Sequence, residues 1–245
     1  MTPTIELLKR HRSIRQFTDD PIAPDLFRQL IVAGQAAASS SFLQGVSIIR
    51  VTDRQLRVSL AALANDQAYV ETAAEFLVFC ADLNRAAQCC ARHDKSASTG
   101  FTEQFIIATV DAALVAQNVC VAAESAGLGI CYIGALRNQP DEVSRLLDLP
   151  DNVYPVFGLC LGWPAQTPEV KPRLPVEMVL HENRYRDGLD EAVLADYDAA
   201  VKTYYENRSD NRKSMTWSGQ MSGLLGREAR PHMLGFLRKR GFLQK

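Results

Sequence analysis

The feature that most constrains this chain is a long helical pattern over Phe105–Ala126 that is apolar nearly all round. A helix without a polar face is stable only inside a folded protein or at a large subunit interface. Glu103, Asp111 and Glu124 interrupt this apolar region, so it lacks the uncharged length of a membrane span. Gly127 then ends the helix, as C-terminal glycines commonly do. We therefore expect a globular protein that buries this helix or covers it with a second subunit.

Strands alternate with helices along the rest of the chain. The predicted strands are rich in β-branched and apolar residues and span Val46–Val51, Glu75–Ala81, Ile130–Leu136 and Val153–Gly162. The other predicted helices span Thr4–Arg10, Asp25–Ala38, Gln55–Ala64, Asp141–Leu147, Asp190–Glu206 and Gly219–Arg240. Residues 91–100 and the proline-punctuated residues 164–175 are predicted to be irregular. This order favours an α+β protein, a three-layer fold with helices flanking a mixed central sheet. We predict a core over residues 1–188 and a helical C-terminal extension over residues 189–245.

The charge balance disfavours a nucleic-acid-binding function. The net charge is −1, with 27 basic and 28 acidic residues, so no overall basic field attracts a polyanion. The N-terminal residues lack the apolar run of a secretory signal. We therefore expect a cytoplasmic protein with neither nucleic acid nor membrane as partner.

The six cysteines predict neither a disulfide framework nor a metal site. No two of them form a Cys-x-x-Cys pair, and cytoplasmic thiols are usually reduced core residues. Cys89, Cys90 and His93 offer metal-binding atoms, but a fourth ligand is missing. GxSxG and HExxH motifs are also absent, which argues against the common hydrolases.

Two pairs of cations are the first candidates for a ligand site. Arg12 and Arg15 lie on an extended segment with His11 and Ser13, and their guanidinium groups suit phosphate oxygens. Taken alone, this segment reads more simply as a solvated basic patch. Lys171-Pro172-Arg173 forms the second pair and follows a predicted strand, although taken alone it reads more simply as a surface turn.

A glycine at the end of a predicted strand is the third candidate. Gly134 follows the strand that begins near Ile130, and glycine lets a ligand approach the backbone closely. Gly127, Gly129 and Gly134 come after a helix and around a strand, which is the wrong order for a dinucleotide-binding fingerprint. A Rossmann domain is therefore disfavoured, while a flat ligand beside this backbone stays open.

Together these segments resemble the FMN-dependent nitroreductase superfamily, in particular its oxygen-insensitive major nitroreductases and NADPH–flavin oxidoreductases. The resemblance covers nearly the whole chain. The matching stretches, in chain order, are HRSIRQFTDDPI, SSSFLQ, QAYVETAAEFLVFCAD, VDAALVAQNVCVAAESAGLG, YIGALRN, FGLCLGWPAQTPEVKPRLP, HENRY and REARPHM.

The resemblance implies a nitroreductase-like fold and assigns roles to residues. Those matching FMN contacts are His11, Arg12, Ser13, Arg15, Ser39, Gln67, Ala68, Tyr69, Tyr132, Ile133, Gly134, Ala135, Lys171 and Arg173. Those matching the acceptor pocket are Ser41, Phe42, Glu103 and Arg230, and those matching contacts to the NADPH 2′-phosphate are Arg208 and Lys213. In catalysis, the amide of Gly134 lies near the flavin N5 and Lys171 stabilises charge on the reduced ring.

The implied activity is transfer of electron pairs from NADPH through FMN to nitro compounds, quinones or free flavin, with ping-pong kinetics and a homodimeric enzyme. Ala135 departs from the usual Gly-Gly of the family, and the loop over residues 89–100 is longer than in close relatives. Both departures concern the shape of the pocket. The alternatives left open are a non-catalytic flavin-binding or electron-shuttling protein and a dimerisation scaffold built on the long helix.

Overall fold

The computed structural model describes residues 1–209 and 211–245, and these residues form two compact units. The first unit comprises Met1–Gln166 and Arg230–Lys245, and the second comprises Thr167–Ala229. Contacts between residues group the C-terminal residues Arg230–Lys245 with the N-terminal part of the chain. Phe236, Leu237 and Phe242 are buried there, beside Tyr154. The domain boundary expected at residue 188 stays a prediction.

One four-stranded sheet forms the centre of the first unit. Its strands are β1 (Val46–Arg50), β2 (Glu75–Asp82), β3 (Gly129–Ile133) and β4 (Val153–Gly162). They lie in the order β1-β2-β4-β3, and every neighbouring pair is antiparallel. The expected mixed sheet is corrected accordingly: in the described residues, parallel pairing is limited to the isolated bridge between Ser13 and Ile130.

Helices of the first unit cover both faces of this sheet. The helices of the two units together are α1 (Pro3–Lys9), α2 (Pro24–Gln35), α3 (Arg54–Leu63), α4 (Tyr69–Thr72), α5 (Asn84–Arg92), α6 (Thr102–Ser125), α7 (Pro140–Leu146), α8 (Glu191–Asn207), α9 (Trp217–Leu225) and α10 (Met233–Lys239). Side chains of a strand alternate between faces. Phe76 and Val78 of β2 accordingly pack in the cluster that includes α3 and α7. Leu77 and Phe79 pack in the cluster that includes α2 and α6. The α+β class and the three-layer arrangement are thereby confirmed.

The long helix α6 is a core helix with one free side. Its buried residues recur at helical spacing and include Ala108, Ala112 and Val119. In the described residues it is the one helix long and apolar enough to cross a membrane, yet it packs on the sheet. A Cβ on Gly34 of α2 would lie 2.5 Å from Val119, so this glycine lets the two helices approach closely. The opposite side leaves Ile106, Val110 and Leu114 exposed.

Three local predictions need correction. Strand β3 ends at Ile133 and not at Leu136, because a 3-10 helix over Gly134–Asn138 follows it. The predicted C-terminal helix over residues 219–240 is divided into α9 and α10, since Gly226 ends the first and Pro231 cannot lie inside a helix. Helix α5 was not predicted, and it extends through Arg92 into the segment 91–100 that was predicted to be irregular.

The second unit is built on α8. Asp190 caps this helix by accepting hydrogen bonds from the backbone of Ala192 and Val193. Its buried face carries Tyr197, Val201 and Tyr205, spaced four residues apart. Leu174, Met215 and Trp217 pack against these residues, so the chain before and after α8 is fixed on one side of it.

Candidate functional site

The segment that carries Arg12 and Arg15 is fixed to the edge of β3. The amide of Ile14 donates to the carbonyl of Ile130 at 2.9 Å, and Ile14 is buried. A Cβ on Gly129 would lie 2.6 Å from the Ile14 side chain, so the glycine makes this close pairing possible. Because side chains alternate along an extended segment, burial of Ile14 directs its neighbours away from the core.

Gln166 and Tyr69 define the surroundings of Arg15. The Gln166 side-chain oxygen accepts from the backbone amides of Arg15 and Gln16 at 2.6 and 2.9 Å, which fixes the backbone there. Burial raises the pKa of the Tyr69 hydroxyl, and interaction with Arg15 opposes part of that rise. The Arg15 charge also acts on the buried thiol of Cys131, whose pKa burial raises. The guanidinium therefore lies between α4 and β3, where a phosphate would find one strong donor.

His11 is anchored to the end of α6. Its Nδ1 lies 2.7 Å from a carboxylate oxygen of Glu124, and the Glu124 side chain is 12% exposed. This contact fixes the ring, so that Nε2 is the nitrogen left for a ligand.

The end of β3 supplies an aromatic wall and a bare backbone. The Tyr132 ring packs edge-on against Phe157 with centroids 5.0 Å apart, and burial raises the pKa of its hydroxyl. Gly134 begins the turn that follows, and a Cβ there would lie 3.2 Å from Arg137 Nη2. The methyl group of Ala135 packs against the core cluster under the sheet, so its bulk is partly directed inward.

Sequence reasoning missed two residues beside this turn. Arg137 donates to the carbonyl of Val156 at 2.5 Å, and its pKa is lowered by burial and then by the charge of Arg230. Arg230 itself donates to Asn138 Oδ1 at 2.9 Å, which places this predicted acceptor-pocket residue next to the Gly134 turn. Arg137 and Asn138 lie in the quoted stretch YIGALRN, so the signal was present in the motif.

A strained loop carries the predicted residues Ser39, Ser41 and Phe42. Ser41, Phe42 and Gln44 have backbone φ values of 50°, 56° and 52°. Residues other than glycine rarely adopt positive φ, and each such residue costs of order 1 kcal/mol or more. Asp111 of α6 holds the loop in place: its Oδ2 accepts from Ser39 Oγ at 2.7 Å and from the Gly45 amide. Phe42 is 80% exposed, so the loop presents an aromatic ring to its surroundings.

This loop borders a groove of about 890 Å³. Ser39, Ser41 and Phe42 line it together with Cys89, but neither the segment from His11 to Arg15 nor the turn at Gly134 does. Gln67, Ala68 and Ile133, which are predicted flavin contacts, also lie outside the lining of this groove. Glu103, on the first turn of α6, is exposed and lies outside the groove too. This groove therefore contains only some of the predicted site residues of the first unit.

In the second unit, Tyr205 brings together both predicted sets of cations. Lys171 Nζ donates to the Tyr205 hydroxyl at 2.7 Å. The guanidinium carbon of Arg208 and the ammonium of Lys213 lie 4.8 and 4.4 Å from the centre of the same ring. Arg173 is exposed, two residues after Lys171. Asp210, in the middle of the basic stretch, lies outside the described residues.

No group of three or more histidine, cysteine, aspartate or glutamate side chains within residues 1–209 and 211–245 has the geometry to hold a metal ion. The predicted cofactor-binding residues described above offer guanidinium, ammonium, hydroxyl and backbone amide donors. Such donors bind and orient an anionic ligand, and they stabilise negative charge that develops on it.

Comparisons with known proteins show the family to which the chain belongs. Residues 8–163 match the Nitroreductase family, and residues 171–245 match the Nitroreductase family, C-terminal domain. The chain is 50% identical over 242 residues to the oxygen-insensitive NADPH nitroreductase of Salmonella typhimurium (strain LT2), with 99% of both chains covered. It is 48% identical over 246 residues to the NADPH-flavin oxidoreductase of Vibrio harveyi, with 100% of both covered. The solved structure of the NADPH:FMN oxidoreductase from Vibrio harveyi complexed with NAD+ superimposes with a TM-score of 0.92 at 47% identity, over 100% of both chains.

Proposed function

Because the chain belongs to the nitroreductase family, we propose that it holds FMN, takes hydride from NADPH and passes electron pairs to nitro compounds, quinones or free flavin. The resemblance seen in the sequence is confirmed by matches over the full chain. The protein is an NADPH-dependent oxidoreductase with nitroreductase and flavin reductase activity. The cofactor and the quinone acceptors are the parts of this statement that remain to be tested.

The arrangement around Arg15 is the observation that carries the proposal. FMN has a phosphate, a flexible ribityl chain and a flat ring. The segment of His11, Arg12, Ser13 and Arg15 offers charged and hydroxyl donors to a phosphate and its chain. Gly134 offers a backbone without a side chain beside the Tyr132 wall, which suits a flat ring. The donor set therefore fits FMN.

The chain's own residues bind and orient, and they do not form a proton-transferring triad. When bound, FMN supplies the two-electron chemistry. Arg12 and Arg15 bind the phosphate, and Lys171 stabilises negative charge on the ring. Lys171 is well placed for such a task, because its ammonium already has a fixed hydrogen-bond partner in Tyr205.

We also propose that the enzyme is a homodimer of the cytoplasm. The exposed apolar residues Ile106, Val110 and Leu114 lie one turn apart on α6, and a second copy would remove them from water. The groove beside Ser39 and Phe42 does not include the Gly134 turn in its lining, and a second copy would supply one set of residues to the other. A soluble dimer with a shared site is the simplest arrangement that uses both surfaces.

The test begins with the purified protein. We expect a yellow preparation that releases FMN on heating and oxidises NADPH when nitrofurazone is added. A yellow protein without NADPH turnover would instead indicate the non-catalytic flavin-binding alternative. A colourless protein that cannot be reconstituted with FMN would overturn the proposal and leave only the dimerisation scaffold.

A further inference from the structure

We propose that Tyr205 is a positioning residue. It links Lys171, the cation proposed to act on the flavin, to Arg208 and Lys213, the nucleotide cations, which are proposed to bind the 2′-phosphate of NADPH. Its hydroxyl fixes Lys171, and its ring is the platform on which Arg208 and Lys213 rest. When a 2′-phosphate binds Arg208 and Lys213, its effect on the position of Lys171 therefore passes through one side chain, that of Tyr205. The inference rests on the proposed function, and it assigns a role to a residue that contacts neither ligand.

The hydroxyl group of Tyr205 has both of its hydrogen-bonding functions fixed. It accepts from Lys171 Nζ at 2.7 Å and donates to Gln220 Oε1 at 3.1 Å. Tyr205 is 4% exposed, so water does not compete freely for these bonds. A lysine side chain has four rotatable carbon–carbon bonds, and one short charged hydrogen bond removes most of that freedom. Lys171 therefore reaches the ligand from a defined position.

The ring of Tyr205 has a separate use. The Lys213 ammonium lies 4.4 Å and the Arg208 guanidinium carbon 4.8 Å from its centre, both within cation–π range. The Lys213 amide also donates to the Tyr205 carbonyl at 3.1 Å, which ties the loop after α8 to the helix. Removal of the hydroxyl alone would leave these ring contacts in place.

Three positive charges around one ring make this a site that attracts an anion. Burial alone would raise the pKa of Tyr205, but Lys171, then Lys213 and Arg208, lower it overall. The carboxylate Glu169 accepts from the Ser209 amide near Arg208, and Glu206 accepts from the Ser214 hydroxyl. The pKa of Glu169 is lowered by backbone hydrogen bonds, that of Ser209 among them, and further by the charge of Arg208, so a bound phosphate would share Arg208 with this carboxylate. A phosphate bound by Arg208 and Lys213 would reduce the repulsion that Lys171 experiences.

A second tyrosine on the same face of α8 supports the same segment without touching the nucleotide cations. Tyr197, two turns before Tyr205, donates to the carbonyl of Pro172 at 3.2 Å. It therefore holds the backbone between Lys171 and Arg173, whereas Tyr205 holds the Lys171 side chain. The two tyrosines thus hold different parts of the same segment, and only Tyr205 also contacts Arg208 and Lys213.

The experiment compares Tyr205→Phe, which keeps the ring, with Tyr205→Leu, which removes ring and hydroxyl. The probes are FMN dissociation from the holoenzyme and calorimetric binding of adenosine 2′,5′-bisphosphate. We expect Tyr205→Phe to weaken FMN retention about tenfold, as loss of a hydrogen bond to a charged group does, and to leave the bisphosphate affinity within about twofold. Tyr205→Leu should weaken both, the bisphosphate by about three- to tenfold. Tyr204→Phe is the control, because its half-exposed hydroxyl makes no hydrogen bond within the described part of the chain.

A double variant tests whether Tyr205 acts through Lys171. In a Lys171→Met background, Tyr205→Phe should add no further loss of FMN affinity. Full additivity, or equal loss of both ligands in Tyr205→Phe alone, would overturn the inference. Ultraviolet titration gives a readout independent of ligands: one tyrosine of the wild type should ionise below the ordinary range, and Tyr205→Phe should abolish that step. Wild-type protein that binds neither FMN nor the bisphosphate would refute the proposed function as well, whereas failure of the variants alone would refute only this inference.

Discussion

Asp111 Oδ2 accepts a hydrogen bond from Ser39 Oγ at 2.7 Å, at the wall of the groove in the first unit. The aspartate is 2% exposed and also accepts from the Gly45 amide at 2.8 Å. One carboxylate of α6 thus fixes both ends of the loop that holds Ser41 and Phe42 in unfavourable backbone conformations. The helix that supports the sheet also shapes the rim of the groove.

Replacement of this carboxylate should loosen the loop and destabilise the protein. Asp111→Ala leaves two donors, Ser39 Oγ and the Gly45 amide, without acceptors, and we expect unfolding free energy to fall by about 3 kcal/mol. Denaturant unfolding of the apoprotein measures this. Asp196→Ala, at an exposed position of α8, is the control and should change stability by less than about 0.5 kcal/mol. A loss of equal size in both variants would contradict the role given to Asp111.

Arg15 should determine how tightly FMN is held and not how fast it reacts. Arg15→Ala removes a charged contact of about 1.5–3 kcal/mol, so the FMN dissociation constant should rise by roughly 10- to 100-fold. Single-turnover reduction of the flavin that stays bound should proceed at the wild-type rate. Arg28→Ala, which removes an exposed arginine from α2, is the charge-matched control. Unchanged affinity with slowed reduction would show that Arg15 acts on the ring and not on the phosphate.

The exposed side of α6 should be sensitive to charge. Val110, 47% exposed, lies between Ile106 and Leu114, so Val110→Glu would place an unpaired carboxylate in the centre of the proposed dimer interface. We expect the dissociation constant of the dimer to rise by at least about 100-fold, an effect of roughly 3 kcal/mol. Sedimentation equilibrium measures it. Val58→Glu alters a single exposed valine of α3 and should leave the association state as it is. A wild-type enzyme that is active as a monomer would contradict the interface.

Thiol chemistry should divide the six cysteines into two classes. Cys89 is exposed and Cys90 partly exposed, whereas Cys80, Cys120, Cys131 and Cys160 are buried. Burial raises the pKa of Cys80 and of Cys120 to about 12, so neither forms the reactive thiolate at neutral pH. Ellman's reagent should therefore modify two thiols of the native protein and all six in denaturant. Because the thiolate is the nucleophile, Cys80 and Cys120 should stay unreactive in the native protein when the pH is raised toward 9. A Cys89→Ser/Cys90→Ser variant that still reacts when native would disprove this division.

Elements with strong local patterns were predictable from the sequence. Strand β4 was predicted with the bounds Val153–Gly162 that the structure has, because an apolar run is limited there by Asn152 before it and Trp163-Pro164 after it. Helix α6 was found within a few residues for the same reason. Helix α5 was missed because its apolar face consists only of alanine and cysteine side chains, which are small, and none of its residues is buried.

Contacts between distant residues were not predictable from one sequence. Asp111 is separated from Ser39 by 72 positions, and Lys171 from Tyr205 by 34. Family resemblance supplied the residues that are proposed to meet a ligand, such as Arg15 and Lys171. It did not supply Asp111 or Tyr205, which contact other side chains, since their roles follow from packing and hydrogen bonding within the fold.

The donor preference of the enzyme should depend on Arg208. A 2′-phosphate is the only anionic difference between NADPH and NADH, and Arg208 and Lys213 both lie against the ring of Tyr205. We expect Arg208→Ala to raise KM for NADPH by about 10-fold or more and to leave KM for NADH nearly unchanged. Lys202→Ala, at an exposed position of α8, is the control for loss of a cation. Steady-state kinetics with both donors decides the matter: equal losses for NADH and NADPH would mean that Arg208 only supports the loop through its bond to the Asn211 carbonyl.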